Sequence, residues 1–120
     1  MSVEIPSVTI TNEMRAACKR LWGRGPEYAQ VLFAGDDTVV MLLTGILTEA
    51  ERSLLAVDRD RVVRSARAGL HEALEPEIRT ILETNTGRET QAFIAGVDLN
   101  CDIASFVVTL ARETDADVPF

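Results

Sequence analysis

One apolar stripe constrains this chain more than any other feature. Val62, Ala66, Leu70, Ala73, Leu74, Ile78, Ile81 and Leu82 recur at helical spacing between Asp58 and Gly87. The pattern predicts a helix over 58–86, with Asp58 capping its first amides and Gly87 closing its last turn in left-handed backbone. Pro76 lies inside it, and the stripe passes through without losing phase, which favours one kinked helix over two. At about 1.5 Å per residue the helix is about 43 Å long. A compact domain of 120 residues is only about 35 Å across, from a radius of gyration near ~14 Å. The helix must therefore overhang its own domain or bend at Pro76. With 47% hydrophobic and 26% charged residues, the chain supports one such domain and one core.

Shorter signals surround the stripe. A first helix is predicted after Thr11 or Asn12, burying Met14, Ala17, Cys18, Leu21 and Trp22 and ending at Gly23-Arg24-Gly25-Pro26. Two strands follow, Tyr28–Phe33 and Thr38–Thr44, joined through Gly35-Asp36-Asp37. Thr48 and Glu51 have the spacing of a capping box, placing a short helix over 49–57 with Leu54, Leu55 and Val57. Two last strands, Thr90–Asp98 and Ile103–Leu110, flank a turn at Leu99-Asn100-Cys101-Asp102. The order is αββααββ. The expected fold is α+β, a single domain over 1–112 with a four-stranded, mainly antiparallel sheet. The first and long helices pack on one face of that sheet. Residues 113–120 form an acidic, flexible tail.

The residues Gly23-Arg24-Gly25-Pro26 after a helix, Leu47-Thr48 followed by Glu51, Gly87 before a strand and Asp98 at its end stand in a characteristic order. Together they resemble the MpsC-like family, small bacterial proteins named after a sodium-translocating, membrane-potential-generating system. The resemblance spans roughly Leu21 to Leu110. It implies an accessory role near cation transport, with a protein partner at a membrane transport system, and it brings no catalytic residues.

Charge narrows the function classes further. Twelve basic and nineteen acidic residues give a net charge of −7, which disfavours nucleic acid and anionic membrane surfaces. The densest basic cluster, Arg59, Arg61, Arg64 and Arg67, is interleaved with Asp58 and Asp60. One Trp and one Tyr do not make a base-stacking platform. The start of the chain lacks a basic segment ahead of an apolar stretch, and the longest nearly apolar run, Val39–Leu47, is too short to span a bilayer. A soluble, cytoplasmic protein is expected, without membrane insertion.

Chemical candidates are few. Gly23, Arg24 and Gly25 combine turn amides with a guanidinium, a pattern that suits a carboxylate or phosphate, although they follow a helix and so meet its negative end. The ordinary reading of those glycines is a helix cap. His71 and Glu75, within an Arg67-His71-Glu75-Arg79 ladder opposite the apolar stripe, have acid–base spacing but read as a solvated charge-paired face. Asp98–Asp102 imitates half a calcium loop, yet Ile103 stands at its sixth position and Thr109 at its twelfth. No Cys or His spacing suits a metal, and no cofactor is expected.

The strands carry the last expectation. Val40 and Leu42 alternate with Val39, Met41 and Leu43, so both faces of Thr38–Thr44 are apolar at the centre, and Ile103–Leu110 repeats this. A sheet wet on one face should alternate with polar residues. A twofold homodimer is therefore expected, with Val40, Met41 and Leu42 as candidate interface residues. In the alternative, the short helix covers the second face within one chain. The functional expectation is a non-catalytic accessory or assembly protein, the alternative being an anion or ligand sensor at Gly23-Arg24-Gly25. Deleting 113–120 should lower Tm by less than about 5 °C, a loss under roughly 1 kcal/mol, measured by calorimetry.

Overall fold

The computed structural model describes residues 7–112, so the expectation for the tail lies outside the described residues. Helix α1 runs Ser7–Trp22, starting earlier than Thr11 or Asn12. Ile10 is fully buried one turn before Met14 and extends the same stripe as Ala17, Cys18 and Trp22. That burial outweighs the weak helix propensity of Val8, Thr9 and Ile10. Thr11 does not cap; its hydroxyl donates to Ser7 O at 2.6 Å within the helix. Leu21, at 38% exposed, stands at the margin of the stripe. Gly23 ends the helix at φ +85°, and its amide donates to Lys19 O at 3.0 Å.

Strands β1 (Tyr28–Ala34) and β2 (Thr38–Thr44) form the first hairpin, and β3 (Thr90–Asp98) and β4 (Ile103–Leu110) the second. They join into one four-stranded sheet in the order β1-β2-β4-β3, every pairing antiparallel. The alternation expected of β2 and β4 is resolved by burial. Val39, Met41 and Leu43 face the core with Ala104, Phe106, Val108 and Leu110, while the residues between them are only half-buried.

Helix α2 (Glu49–Ala56) opens with the predicted capping box, Thr48 accepting from the Glu51 amide and Glu51 from the Thr48 amide. Helix α3 (Asp60–Thr86) continues unbroken through Pro76. Pro76 lies on the exposed side, so the Glu72 carbonyl it leaves without an amide faces water. Asp58 does not cap α3. Its φ of +60° makes it the reversal residue between α2 and α3, outside the extended geometry a capping residue needs. At the other end Gly87 closes α3 in left-handed backbone at φ +71°. The helix is about 40 Å long for its 27 residues, in a molecule of 54 × 34 × 22 Å.

Helix α1 packs on β1 and α3, and α3 packs on β3, so both cover one face of the sheet. Helix α2 touches α3 and no strand, and thus does not cover the second face. Along the first half of α3 the buried residues are Val63, Arg67 and His71, whereas Val62 and Ala66 are exposed. Val63→Ala should therefore destabilise the fold by about 2 kcal/mol. Val62→Ala, at a site 52% exposed, should change stability by less than about 0.5 kcal/mol in urea unfolding.

Candidate functional site

Gly45, Ile46 and Leu47 leave β2 and reach α2 without a ladder, yet all three are buried. A buried segment of this kind must find partners for every backbone N–H and C=O. Asp102 satisfies all three amides: its carbonyl accepts from Gly45 N at 2.9 Å, and its Oδ1 from Ile46 N at 2.8 Å and Leu47 N at 3.0 Å. Arg24 donates to two of the carbonyls, Gly45 O at 3.2 Å and Leu47 O at 3.1 Å. Arg67 Nη2 donates to the third, Ile46 O, at 2.9 Å. Gly45 has φ +70°, left-handed backbone that glycine adopts without strain, so a larger residue there is disfavoured.

Arg67 is fully buried at the middle of the cluster. Its Nε donates to Glu51 Oε2 at 2.7 Å and its Nη2 to Glu51 Oε1 at 2.5 Å, a two-pronged grip on one carboxylate. The guanidinium carbon lies 4.7 Å from the centre of the Trp22 ring, within cation–π range. Burial opposes ionisation of Glu51, but the Arg67 and Thr48 hydrogen bonds and the Arg67 charge outweigh it and hold the carboxyl below its usual range. The same carboxylate caps α2, so the capping box and the buried ion pair are one structure.

His71 follows one turn along α3, its ring 5.6 Å from Trp22 and 5.2 Å edge-on to Phe106, which stacks on Phe93 at 5.4 Å. Trp22 Nε1 donates to Leu70 O at 3.2 Å. Burial, and then the neighbouring Arg67 charge, push the imidazole down to about 4, against a weaker opposite pull from Glu51. The imidazole is thus neutral at physiological pH, and its Nε2 has no partner among the described residues.

Arg67 and His71 therefore lie on the buried face, not on the solvated face expected of their ladder. Glu75 and Arg79 do stay at the surface and pair at 2.9 Å. Arg79 also donates to Thr90 Oγ1 and Gln91 O, both at 3.0 Å. No described ion pair joins His71 to Glu75, so the structure does not assemble that acid–base pair. Cys18, beside Arg67 on α1, is buried, and burial pushes its thiol up to about 12.

The remaining candidates are placed as follows. Gly23, Arg24 and Gly25 border an open concavity of about 530 Å³ with Arg15 and Lys19. Arg15 donates to Pro26 O at 3.0 Å there. Of the candidate interface residues, Met41 points into the core and is fully buried, whereas Val40 and Leu42 lie on the opposite face. The Asp98–Asp102 turn is a structural element: Asp98 Oδ1 accepts from Cys101 N at 2.9 Å, and Asp102 Oδ2 pairs with Arg52 at 3.0 Å. Among the described residues no group of His, Cys, Asp and Glu is arranged to hold a metal ion.

Over residues 7–112 the chain matches the family described as "Na+-translocating membrane potential-generating system (MpsC)". It belongs to the MpsC family. No curated protein and no solved structure matches it. The MpsC-like residues read from the sequence now join physically. Arg24 holds the carbonyl of Leu47, Thr48 and Glu51 cap α2, and Glu51 grips Arg67. Sequence reasoning missed the roles of Arg67 and Asp102. The available signal for Arg67 was the i,i+4 series Val63-Arg67-His71 running into Leu74 and Ile78.

Arg67→Ala leaves a carboxylate buried without its partner and should cost about 3–5 kcal/mol of stability in urea. Arg67→Lys loses the fork and still costs about 1–3 kcal/mol. His71 binds a proton less readily folded than unfolded, so stability is full above pH 6.5 and declines as pH falls towards 4. The decline reaches up to about 3 kcal/mol. Below 4.5 the loss of the Glu51 charge adds to it. A Tm–pH series should show this slope, flattened above pH 4.5 in His71→Gln.

Proposed function

We propose that this MpsC-family chain is a non-catalytic accessory or assembly protein of a sodium-translocating, membrane-potential-generating system, acting from the cytoplasm. The observation that carries the reading is where the ionisable side chains go. Arg24, Arg67 and Asp102 converge on the chain's own backbone, and Glu51 on Arg67 and its own helix. Groups held in this way specify a shape and leave the surface as the part that works. In this reading contact with the transport system is made through a partner protein; among the described residues no helix is long and apolar enough to cross a membrane.

The concavity beside Gly23–Pro26 favours one other reading, a small-anion sensor, because Arg15, Lys19 and Arg24 all line it. Against it, both Arg24 and Arg15 already donate to carbonyls.

Cells lacking the chain should show a reduced sodium-dependent membrane potential, restored by the full chain and equally by the folded His71→Gln and Glu75→Gln variants. Failure of those folded variants to restore it would replace the accessory role by a catalytic one. In a thermal-shift series with phosphate, nucleotides and carboxylates, Tm should stay flat. A saturable rise, abolished in Lys19→Ala, would instead support the sensor, since a specific ligand at about 100 times its Kd adds about 2.7 kcal/mol.

A further inference from the structure

We propose that the uncovered face of the sheet seats a second copy of this chain, two sheets packing face to face about a twofold axis. The register builds this face. Leu32 pairs with Val40, Val40 with Val107, and Val107 with Ile94, so one apolar row crosses all four strands. Leu42 stands two residues along β2 on the same side. At the two ends of this row Leu32 is 51% and Ile94 61% exposed, large values for apolar side chains. The helices are elsewhere: α1 and α3 cover the opposite face, and among the described helices and strands α2 packs on α3 alone.

Charge selects the occupant. The chain carries −7 overall and 26% charged residues, yet among the described residues Asp98, at a corner, is the one charged strand residue whose register falls on this face. An anionic membrane would need cations here, and an electrostatically recognised protein would need complementary charge. Two copies each carrying −7 repel one another overall, and this face is where they approach with the fewest like charges apposed.

The row is also self-complementary. A twofold axis parallel to the strands, between β2 and β4, exchanges β1 with β3. Leu32 then meets Ile94 of the second copy, and Val40 meets its Val107, across the usual sheet-to-sheet spacing of about 10 Å. Four strands about 4.8 Å apart, each about 24 Å long, present roughly 500 Å² a side. The total of about 1,000 Å² is the lower bound for a specific interface, so a dimer forming at micromolar concentration is expected. The molecule is only 22 Å thick as a helix layer on a sheet, and pairing turns two open layers into a closed four-layer stack.

Light scattering on the full chain at micromolar concentrations tests this. The expected mass is twice 13.1 kDa, and Leu42→Glu or Val107→Glu should raise the dissociation constant at least tenfold while the circular dichroism of the monomer is unchanged. Should either glutamate unfold the sheet, the edge pair Leu32→Ser with Ile94→Ser, at exposed positions, serves the same purpose. Val62→Glu, equally exposed but on α3, should leave the dimer intact. A 13.1 kDa species throughout, a dimer that survives the sheet-face substitutions, or equal loss with Val62→Glu would each overturn the proposal.

Discussion

The passage of the chain from β2 to α2 is the constraint on which the rest of the structure rests. Gly45, Ile46 and Leu47 run through the interior without strand or helix partners, and their six backbone polar groups are met from outside the segment by Arg24, Arg67 and Asp102. Each such group left unmet would cost about 1–3 kcal/mol. Six together would exceed or consume the roughly 5–15 kcal/mol by which a domain is ordinarily stable. The three side chains come from the α1–β1 loop, α3 and the β3–β4 turn, so satisfying one short segment fixes the relative position of most of the molecule.

Arg67 carries this requirement into the core. A buried guanidinium is tolerated only with its charge compensated and its donors directed. Glu51 supplies the charge and accepts from Nε and Nη2, Ile46 O accepts from Nη2, and Trp22 offers a π face, while Nη1 has no hydrogen-bond partner among the described residues. From Trp22 the contact continues through His71 to Phe106 and Phe93, linking α1 and α3 to the centre and edge of the sheet. One face of the sheet is thus locked to the helices by a polar cluster and an aromatic column. The other face carries no helix, and among the described residues Asp98 is the one charged strand residue on it.

The parts of the fold that depend on neighbours in sequence were legible. Strands β2, β3 and β4 have the boundaries expected from their alternation and turns, and the Thr48–Glu51 box formed as its spacing required. The start of α1 was not legible, because Ile10 is drawn into the helix by burial against distant elements. Nor was the function of Asp58, whose left-handed backbone serves a tight reversal that aspartate tolerates, although its composition suits a cap. Arg67 and His71 were placed on the wrong face for a related reason. A periodicity that scores side chains by hydropathy assigns Arg to water, and the Glu51 and Ile46 partners that make its burial possible lie 16 and 21 residues away. The glycine turn at 23–25 was legible as a cap, but the two carbonyls that Arg24 serves are visible only once the hairpin has brought them back to α1.

Native-state hydrogen exchange at Ile46 and Leu47 tests the central claim most directly. If Asp102, Arg24 and Arg67 hold this segment as part of the core, both amides should open only with global unfolding, at free energies matching those of β2 residues such as Met41. Exchange of Ile46 and Leu47 at the rate of the Gly35-Asp36-Asp37 hairpin turn, while β2 stays protected, would contradict the account.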